Sequence, residues 1–475
     1  MDIKEYLANK FKNKDCQILG FARSNKPLVD ILLNVGAKVT VRDLDKKGEL
    51  QYDAEKKAFE KRGAIFVLGD GYLDSLGGDF IFRTPAIRPD VPQIANAIGN
   101  GAVLTSEMEL FFEVCPCQIF GITGSDGKTT TTTLTYLFLK KEGEKKGFRA
   151  YVGGNIGTPL LPLVFEMTKD DIAVVELSSF QLQSMKLFPD RAAITNVSPN
   201  HLNWHTDMDE YISAKANICH SDMKIFVTNA ENEITKGISE KSDCPVTYFS
   251  SKKIRYSDIA PENKKNCNAV YEDGGVIFFD NGEYREEILD TSDILIPGRH
   301  NVENYMTAIA LTRGIVGTES VREVAVTFGG VEHRLELVKE RGGVKFYNSS
   351  IDSSPTRTSA AISALPKAPI IILGGEDKGV PFDTLAYDVC TGTKAAIVTG
   401  KAALKILEAI EKCPEYDKNK VLIKHIPDFD EAVKAAAEIA ESGDIVLLSP
   451  ACTSFDRFKD YAERGNYFRE IVRKL

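Results

Sequence analysis

Short runs of β-branched and aliphatic residues alternate with longer helical patterns through almost the whole chain. The short runs include CQILGFA, AKVTVRD, QIFGITG, IAVVELS, PIIILGG and GDIVLLSP, and stretches such as KAAAEIAES separate them. Strands that alternate with helices of this length form βαβ units, in which the strands lie parallel and the helices cover the sheet. The alternation therefore predicts an α/β fold with mainly parallel sheets.

The length of the chain sets the number of domains. It has 475 residues, and a domain usually takes roughly 100–200 residues, so we expect three domains. The first boundary is predicted near residue 112, after SEMELFF, and the second near residue 330, at the turn FGGVEHR. The predicted domains are residues 1–112, 113–330 and 331–475. A polar, lysine-rich region near 250–295 is expected to be inserted or peripheral.

The charge and the cysteines exclude some classes of protein. There are 59 Lys and Arg against 68 Asp and Glu, so the net charge is −9, which disfavours binding of nucleic acid through bulk electrostatics. No apolar run approaches the roughly 18 residues that span a bilayer. The N-terminal MDIKEYLANK lacks the features of a signal peptide, and the nine cysteines resemble no disulfide framework. We expect a cytoplasmic protein that binds neither nucleic acid nor membrane.

The segment GITGSDGKTT has the pattern of a phosphate-binding loop between a strand and a helix. Gly124 and Gly127 allow backbone N–H groups to turn toward an anion at a helix N-terminus. Lys128 is expected to reach the β- and γ-phosphates, and the Thr129 hydroxyl to bind Mg²⁺. The Asp126 carboxylate is expected to point away from the phosphates or toward metal, because a position about 5 Å from a phosphate costs on the order of 3 kcal/mol. The segment predicts a nucleoside triphosphate site, with a plain glycine turn as the alternative.

Glu176 and two histidines are candidate metal ligands. Glu176 ends the strand-like segment IAVVELSSF, and acids at the carboxyl ends of parallel strands are well placed for nucleotide-bound Mg²⁺; a buried capping carboxylate is the alternative. His201 and His205 have the spacing of a zinc pair on a helix, but the glutamate of HExxH is replaced by Leu202. We therefore expect one histidine to help bind a second Mg²⁺ and the other to pack with Trp204.

Further motifs follow the phosphate loop in a fixed order. They are GGNIGTPL, VELSSFQL, NHLNWH, SAKANI, HNVENYMTAIA, EHRLE, YNSSIDSSPTRT, LGGEDKG and SPACTSFDRFKDYAERG. Together with GITGSDGKTT, this series resembles the Mur ligase family over nearly the whole chain, most strongly at 119–215 and 331–468.

The resemblance implies an ATP-dependent ligase that joins a carboxylate to an amine in peptidoglycan precursor synthesis. The C-terminal motif points to the member that adds D-glutamate to UDP-N-acetylmuramoyl-L-alanine through an acyl phosphate. The implied architecture is a Rossmann-like N-terminal domain for the UDP substrate, a P-loop-type central ATPase domain and a Rossmann-like C-terminal domain for the amino acid. ATP and Mg²⁺, with two ions, are the implied cofactors, and we expect a monomer that acts on small molecules.

The resemblance also carries functional roles onto matching positions. Those implied to contact ATP are Gly124, Ser125, Asp126, Gly127, Lys128, Thr129, Thr130, Asn301 and Arg334. The implied metal ligands are Thr129, Glu176, His201 and Lys215, the last as a carbamylated lysine. The implied substrate contacts are Gly20, Asp43, Asn155 and Ser178 for the UDP substrate, and Ser353, Lys378, Ser454 and Tyr461 for D-glutamate. The implied catalytic residues are Lys128, His201, Lys215 and Lys378.

Gly20 and Asp43 carry a weaker signal on their own. Gly20 lies in ILGFARSN, and Asp43 closes the next strand-like segment. This spacing is similar to a dinucleotide fingerprint, but only one of its glycines is present, so a plain βα turn explains it equally well. In light of the resemblance, Asp43 becomes a candidate for the uridine contact.

The sequence departs from the family pattern at several positions. Ser349 stands where the family usually carries aspartate, and Asp352 is a candidate to compensate. Asp126 and Asn200 replace an asparagine and an aspartate, and Ala86 replaces a glycine. Two alternatives follow, namely a ligase of the same architecture that adds another amino acid, and a nucleotide-dependent binding module without turnover.

Overall fold

The computed structural model describes residues 2–202, 204–252, 267–377 and 379–475. The chain forms two compact units. The first runs to Leu289 and includes Glu303–Val324, and the second comprises Asp290–Val302 and Ala325–Leu475. The described residues form three sheets, two in the first unit and one in the second. The domain boundaries near 112 and 330 stay predictions.

The first sheet has five parallel strands in the order β3-β2-β1-β4-β5. Its strands are β1 Asp15–Leu19, β2 Lys38–Asp43, β3 Ile65–Leu68, β4 Phe80–Arg83 and β5 Val103–Thr105. Its helices are Ile3–Phe11, Asn25–Asn34, Ala54–Lys61, Pro92–Gly99 and Glu107–Val114, with a 3₁₀ turn at Leu50–Tyr52. The strand order reverses between β1 and β4, and ligands of such sheets bind in the crevice at this point.

The second sheet has nine strands in the order β14-β13-β12-β11-β10-β9-β6-β8-β7. These strands are β6 Gln118–Thr123, β7 Ala150–Gly154, β8 Ile172–Glu176, β9 Arg191–Ile194, β10 Ile225–Asn229, β11 Val246–Ser250, β12 Cys267–Asp273, β13 Val276–Asp280 and β14 Arg285–Asp290. Pairing is parallel from β7 to β12, and β12 pairs antiparallel with β13. The region near 250–295, predicted to be peripheral, thus supplies strands at one edge of this sheet.

Helices and 3₁₀ turns connect the strands of the second sheet. The helices are Lys128–Lys146, Ser179–Leu182, Met208–Ala216, Glu233–Glu240, Arg299–Thr312 and Thr318–Ala325, and the 3₁₀ turns are Leu161–Phe165 and Thr291–Asp293. The helix Lys128–Lys146 follows β6 directly, as the phosphate-loop pattern predicts.

The third sheet has six strands in the order β15-β16-β20-β17-β18-β19. They are β15 Glu336–Arg341, β16 Val344–Asn348, β17 Ile370–Gly374, β18 Ala395–Thr399, β19 Leu422–His425 and β20 Ile445–Leu448, and only the β15–β16 pair is antiparallel. The helices are Pro355–Ala364, Asp383–Gly392, Ala403–Lys412, Phe429–Ile439 and Tyr461–Lys474.

Strand β17 shows why the predicted alternation gives this architecture. Ile371 and Leu373 pack in one apolar cluster, and Ile370 and Ile372 pack in another on the opposite face. A parallel strand buried on both faces is apolar at every position, which is the pattern of PIIILGG. The predicted α/β fold with mainly parallel sheets is confirmed.

Two further sequence expectations concern membranes and cysteines. Among the described residues, no helix combines the length and apolar character needed to cross a bilayer. All nine cysteines are free thiols, as their irregular spacing predicts.

One buried carboxylate anchors the helix Lys128–Lys146. Glu142 accepts hydrogen bonds from Ser320 Oγ (2.6 Å) and Gly317 N (3.1 Å) and pairs with Lys146 Nζ at 2.9 Å. Burial acts to raise the pKa of Glu142, but these three donors outweigh it, so the pKa lies below its ordinary value. The charged form therefore stabilises the fold above the unfolded pKa of about 4.3, and this contribution is lost as the pH falls through the folded pKa.

Replacing Glu142→Gln should lower the free energy of unfolding of the first unit by about 1–3 kcal/mol at pH 7. The loss should shrink as the pH falls below about 4, where the wild-type carboxyl also becomes neutral. Urea unfolding at both pH values measures the difference. Glu144→Gln is the matched control, because Glu144 is exposed on the same helix and pairs with Lys141 at 3.5 Å. Equal effects of the two variants would contradict the anchoring role.

Candidate active site

The loop between β6 and its helix requires glycine at two positions. Gly124 has φ +150°, and a Cβ there would lie 1.8 Å from Thr195 Oγ1. Gly127 caps the helix with φ +78°, and a Cβ there would lie 2.3 Å from Asn304 Oδ1. The backbone thus packs against neighbouring elements in a conformation that side chains rarely adopt. The loop leads directly into the helix N-terminus, the end of a helix at which N–H groups and the dipole favour an anion.

Two lysines converge on this loop from different elements. Lys128 Nζ donates to Gly124 O and to Ser125 O, both at 2.8 Å. Lys215, on the helix Met208–Ala216, donates from Nζ to the same Gly124 O at 2.6 Å. The loop therefore carries its predicted phosphate-binding lysine beside the lysine implied to be carbamylated.

Lys215 lies in surroundings that favour its neutral form. Its side chain is buried, with Nζ 4.7 Å from the centre of the Tyr211 ring. Burial, followed by the charge of Lys128, lowers the pKa of Lys215 to about 6. At pH 7 and above the amine is therefore mostly uncharged and nucleophilic.

The middle of the loop is held by backbone and hydroxyl contacts. Ser125 Oγ lies 2.9 Å from Tyr211 OH and donates to Ser198 O at 3.0 Å. Asp126 N donates to Asn196 Oδ1 at 2.9 Å, and Asp126 is exposed. Water screens a charge in such a place, and the expectation that this carboxylate points away from the phosphates or toward metal stays a prediction. Thr130 is buried in the first turn of the helix.

Glu176 joins the ends of three elements. Its carboxylate is buried and accepts from Thr129 Oγ1 at 2.9 Å and from Asn155 Nδ2 at 2.8 Å. Thr129 starts the helix, Asn155 follows β7, and Glu176 ends β8. A carboxylate, a hydroxyl and an amide supply the oxygen donors that Mg²⁺ prefers, so these residues fit the implied metal.

The two histidines have different surroundings. His201 is exposed, has φ +55°, and its ring lies 5.0 Å from the Phe180 ring. Burial of part of the ring, then the charges of Lys128 and Lys215, lower its pKa. The neutral imidazole that results is the form that binds metals.

His205 is buried, and its ring shares two aromatic neighbours, Phe180 and Tyr211, with the ring of His201. Its Nε2 lies 2.9 Å from Ser179 Oγ, and its ring packs edge-on against Trp204 at 4.8 Å. No group of three or more His, Cys, Asp or Glu side chains suited to a metal ion occurs among the described residues. The packing of one histidine with Trp204 is therefore observed, and the part of the other histidine in binding a second Mg²⁺ stays a prediction.

A cleft of about 210 Å³ lies beside Asn155. Residues of the first sheet, including Arg83 and Pro85, line one side, and Asn155 and Gln181 line the other. Ser178 Oγ donates to Gln181 Oε1 at 2.9 Å within a capping box. The cleft is therefore placed at the strand-order reversal of the first sheet, where a ligand is expected.

Gly20 lies in the turn after β1, and the side chain of Asp43, at the end of β2, holds that turn. Gly20 has φ +92°, and a Cβ there would lie 2.8 Å from Thr84 Cγ2. Asp43 accepts from Phe21 N at 2.6 Å and from Asp45 N at 2.9 Å. Both residues thus shape the crevice end of the sheet, and a uridine contact by Asp43 stays a prediction.

In the second unit, Arg334 stands on a strained turn. His333 and Leu335, on either side, have φ +62° and +42°, which non-glycine residues adopt only when neighbours fix them. Leu335 N donates to Ser349 Oγ at 3.1 Å, and His333 Nδ1 lies 3.0 Å from Asn348 Nδ2. The turn exposes the Arg334 side chain.

Of the residues implied to bind the amino acid, Ser353 and Ser454 lie on loops of this unit and Tyr461 begins the helix Tyr461–Lys474. Ser454 is buried, and Tyr461 is exposed with its ring 6.0 Å from the His333 ring. Ser353 N donates to Ile351 O at 2.8 Å. Lys378 lies outside the described residues. Asn301, assigned to adenine, donates from Nδ2 to Pro297 O at 2.5 Å.

Arg464 is a structural residue of these loops that sequence reasoning missed. Its buried guanidinium donates to Ser350 Oγ and O, Thr453 O and Cys452 O at 2.9–3.1 Å. Burial lowers its pKa to about 10, so it stays charged at pH 7. It ties the segment after β16 to the segment before Ser454. In the sequence, only its position in the motif YAERG indicates that Arg464 has a role in this region.

Comparison with known proteins supports the sequence resemblance. The Mur ligase middle domain matches residues 122–312, and the Mur ligase glutamate ligase domain matches residues 333–452. The chain is 44% identical to the UDP-N-acetylmuramoylalanine–D-glutamate ligase of Acetivibrio thermocellus, over 98% of this chain and 97% of that protein. The chain belongs to the Mur ligase family. Proteins of the same name from Ruminiclostridium cellulolyticum and Clostridium kluyveri are each 43% identical, over 99% and 100% of this Mur ligase and 99% of each relative.

Solved structures share the fold at lower identity. A UDP-N-acetylmuramate–alanine ligase from Thermotoga maritima is 18% identical with a TM-score of 0.54, covering 97% of this chain and 99% of that one. A UDP-N-acetylmuramoyl-L-alanyl-D-glutamate–2,6-diaminopimelate ligase is 15% identical with a TM-score of 0.56, covering 98% and 93%. The predicted family and its α/β architecture are confirmed.

Replacing Gly124→Ala should reduce binding of a nucleoside triphosphate by at least about tenfold, because the new Cβ displaces the loop from Thr195. Calorimetric titration with a non-hydrolysable ATP analogue measures the affinity. Gly101→Ala is the matched control, since Gly101 also has positive φ (+99°) but a Cβ there meets nothing within 4 Å. Unchanged nucleotide affinity in the Gly124 variant would show that this loop does not bind the phosphates.

Proposed function

We propose that this Mur ligase adds D-glutamate to UDP-N-acetylmuramoyl-L-alanine, with cleavage of ATP to ADP and phosphate, in cytoplasmic peptidoglycan precursor synthesis. The observation that carries the proposal is the convergence of Lys128, Lys215, Thr129 and Glu176 around one phosphate loop, in a chain whose full-length relatives bear that ligase name. Residues 1–112 hold the UDP moiety, 113–330 bind ATP, and 331–475 bind D-glutamate. The protein acts as a monomer on small molecules, without nucleic acid or membrane.

The first step activates the carboxylate. A carboxylate does not react with an amine at neutral pH, because the leaving group would be oxide. The alanyl carboxylate attacks the γ-phosphorus of ATP, the bond from that phosphorus to the β,γ-bridging oxygen breaks, and ADP leaves. Lys128 and the helix N–H groups hold the phosphates, and Arg334 supplies a second cation.

The second step forms the amide. The amine of D-glutamate attacks the acyl phosphate, and the tetrahedral intermediate expels phosphate. Cationic groups stabilise the oxyanion. Lys378, Ser353, Ser454 and Tyr461 bind the incoming glutamate, and Arg464 keeps the loops that present Ser454 in place. Asn155 and Ser178 position the muramoyl-alanine end.

Mg²⁺, when bound, neutralises the charge of the phosphoryl group that is transferred. Thr129, Glu176, His201 and carbamylated Lys215 hold two ions. The carbamate forms when the neutral Lys215 amine attacks the carbon of CO₂ and releases a proton. The product presents carboxylate-like oxygens, which an ammonium group cannot offer to a metal.

Phosphate release by the purified enzyme should require ATP, Mg²⁺, UDP-N-acetylmuramoyl-L-alanine and D-glutamate together. L-glutamate, L-alanine and L-lysine should not replace D-glutamate, and Lys128→Ala should reduce the rate by at least about 10²-fold, since it removes a phosphate-binding cation. A colorimetric phosphate assay measures the rate, with Lys12→Ala as a control on an exposed lysine. Dependence on another amino acid would refute the substrate assignment, and nucleotide binding without release would favour the binding-module alternative.

Incubation with ¹³C-labelled bicarbonate at pH 8 should give one carbamate resonance that depends on Lys215. The signal should disappear below pH 6, because the amine with a pKa of about 6 then becomes protonated and unreactive. ¹³C NMR measures it, and Lys215→Arg should lack it while Lys12→Arg keeps it. Absence of a Lys215-dependent signal at pH 8 would exclude the carbamate and leave the ligase proposal to be decided by phosphate release.

A further inference from the structure

A short segment of the first sheet is clamped onto the loop that carries His201. It comprises residues Arg83–Asp90, which follow β4, and is called here the bridging segment. Two of its residues, Arg83 and Pro85, line the cleft beside Asn155. Its other end contacts the loop before the helix Met208–Ala216. The segment thus reaches from the proposed nucleotide-sugar cleft to the proposed metal ligand.

Arg88 and Trp204 make reciprocal contacts at the far end of the bridging segment. Arg88 Nη1 donates to Trp204 O at 2.6 Å, and Trp204 Nε1 donates back to Ala86 O at 3.3 Å. The Arg88 guanidinium also lies over the indole, 5.1 Å from the ring centre, in the geometry of a cation–π contact. Three contacts of different kinds therefore fix one tryptophan to the bridging segment.

The same guanidinium pairs with a carboxylate on the helix Met208–Ala216, which follows the His201 loop. Arg88 Nη2 donates to Glu210 Oε1 at 2.8 Å, and Nη1 donates to Oε2 at 3.1 Å. Glu210 accepts further from Thr206 N at 2.7 Å and Gln183 Nε2 at 2.8 Å. These donors, Arg88 first, lower the pKa of Glu210 to about 2, so the pair is charged at neutral pH. An arginine–carboxylate pair with two hydrogen bonds fixes the relative orientation of the two groups as well as the distance between them.

The contacts that fix Trp204 also constrain His201, because backbone hydrogen bonds connect the two residues. His201 O accepts hydrogen bonds from Trp204 N and His205 N, both at 3.0 Å. His201 itself has φ +55°, a conformation that needs support from its surroundings. Fixing Trp204 therefore fixes the turn that holds His201 in this conformation.

A second path runs from the cleft end of the bridging segment. Buried Arg83 donates to Phe180 O at 2.9 Å and Ser184 Oγ at 2.8 Å. The Phe180 ring packs against the rings of His201 (5.0 Å) and Trp204 (4.4 Å). Contacts from both ends of the bridging segment thus constrain the position of His201.

We infer that Arg88 is a positioning residue for His201, and that the bridging segment couples the nucleotide-sugar cleft to the metal site. The inference rests on the proposed function. Residues that orient a metal ligand typically change metal affinity by roughly 10–100-fold when removed. Coupling between two sites is reciprocal, so a ligand in the cleft alters the surroundings of Trp204, and loss of the clamp weakens metal binding.

Trp204 is the only tryptophan of the chain, so intrinsic fluorescence reports on this loop alone. UDP-N-acetylmuramoyl-L-alanine, added without ATP or metal, should change the emission of the wild-type protein. Arg88→Ala should remove the change although calorimetry still detects binding of the UDP substrate. The Mg²⁺ concentration for half-maximal phosphate release should rise at least about tenfold, with a smaller effect on the KM of D-glutamate. Arg88→Lys keeps the positive charge but not the planar guanidinium group. It should recover part of the fluorescence change and part of the affinity for Mg²⁺.

Arg62→Ala is the matched control, because Arg62 pairs with Asp30 on the surface of the same sheet's helices and should leave both readouts unchanged. Circular dichroism verifies folding; where Arg88→Ala does not fold, Glu210→Gln breaks the same pair and should shift both readouts in the same direction. An Arg88 variant with wild-type fluorescence response and Mg²⁺ dependence would overturn the inference. Because the fluorescence experiment needs only binding, it remains decisive for the coupling if D-glutamate fails to trigger phosphate release and the proposed function falls.

Discussion

The carbonyl of Gly124 accepts hydrogen bonds from two lysines, and the chemistry of the active site depends on this contact. Lys128 and Lys215 approach one oxygen at 2.8 and 2.6 Å, and two ammonium groups so close repel each other strongly where water is excluded. The two lysines respond differently to this repulsion. Burial and the charge of Lys128 lower the pKa of Lys215 to about 6, whereas Lys128 itself is only partly buried. The contact thus leaves the buried member of two identical side chains mostly neutral and nucleophilic at pH 7.

The strand order of the second sheet determines which residues can reach this carbonyl. β6 lies between β8 and β9, so the loop after β6 is flanked by Glu176 on one side and Thr195 on the other. Thr195 makes glycine obligatory at position 124, since a side chain there would overlap it, and Asn304 has the same effect at position 127. Parallel strands place all their carboxyl ends at one edge, and residues that are 50 or more positions apart in the chain, such as Thr123 and Glu176, therefore meet there.

The sequence determines some of these features locally and others only through the fold. The β17 strand and the phosphate loop were predictable, because burial on both faces and the needs of a phosphate each leave a short, dense pattern. The burial of Lys215 could not be predicted from its neighbours in the sequence. Its burial arises when its helix packs against the loop, and without the family resemblance it has the pattern of a solvated helical lysine. Arg464 carries even less signal, because its acceptors are mostly backbone carbonyls, which any sequence supplies. Arg88 also carries little, because Trp204 and Glu210, its partners across the fold, lie far away in the sequence.

The departures from the family pattern can be accommodated in physical terms. At position 349, a serine hydroxyl still accepts the Leu335 N–H at 3.1 Å, so the turn that presents Arg334 keeps an acceptor that an aspartate would also have offered. What serine cannot supply is negative charge. Asp352, three residues later, is buried, accepts from Ser449 Oγ at 2.8 Å, and lies within the electrostatic influence of Arg334. Burial raises its pKa, which means that its charge depends on nearby cations. A carboxylate of this kind ionises most readily when cations face it, and Arg334 and Arg357 both act to lower its pKa. The negative charge that serine cannot supply at 349 is therefore available at 352 where these arginines lie close to it.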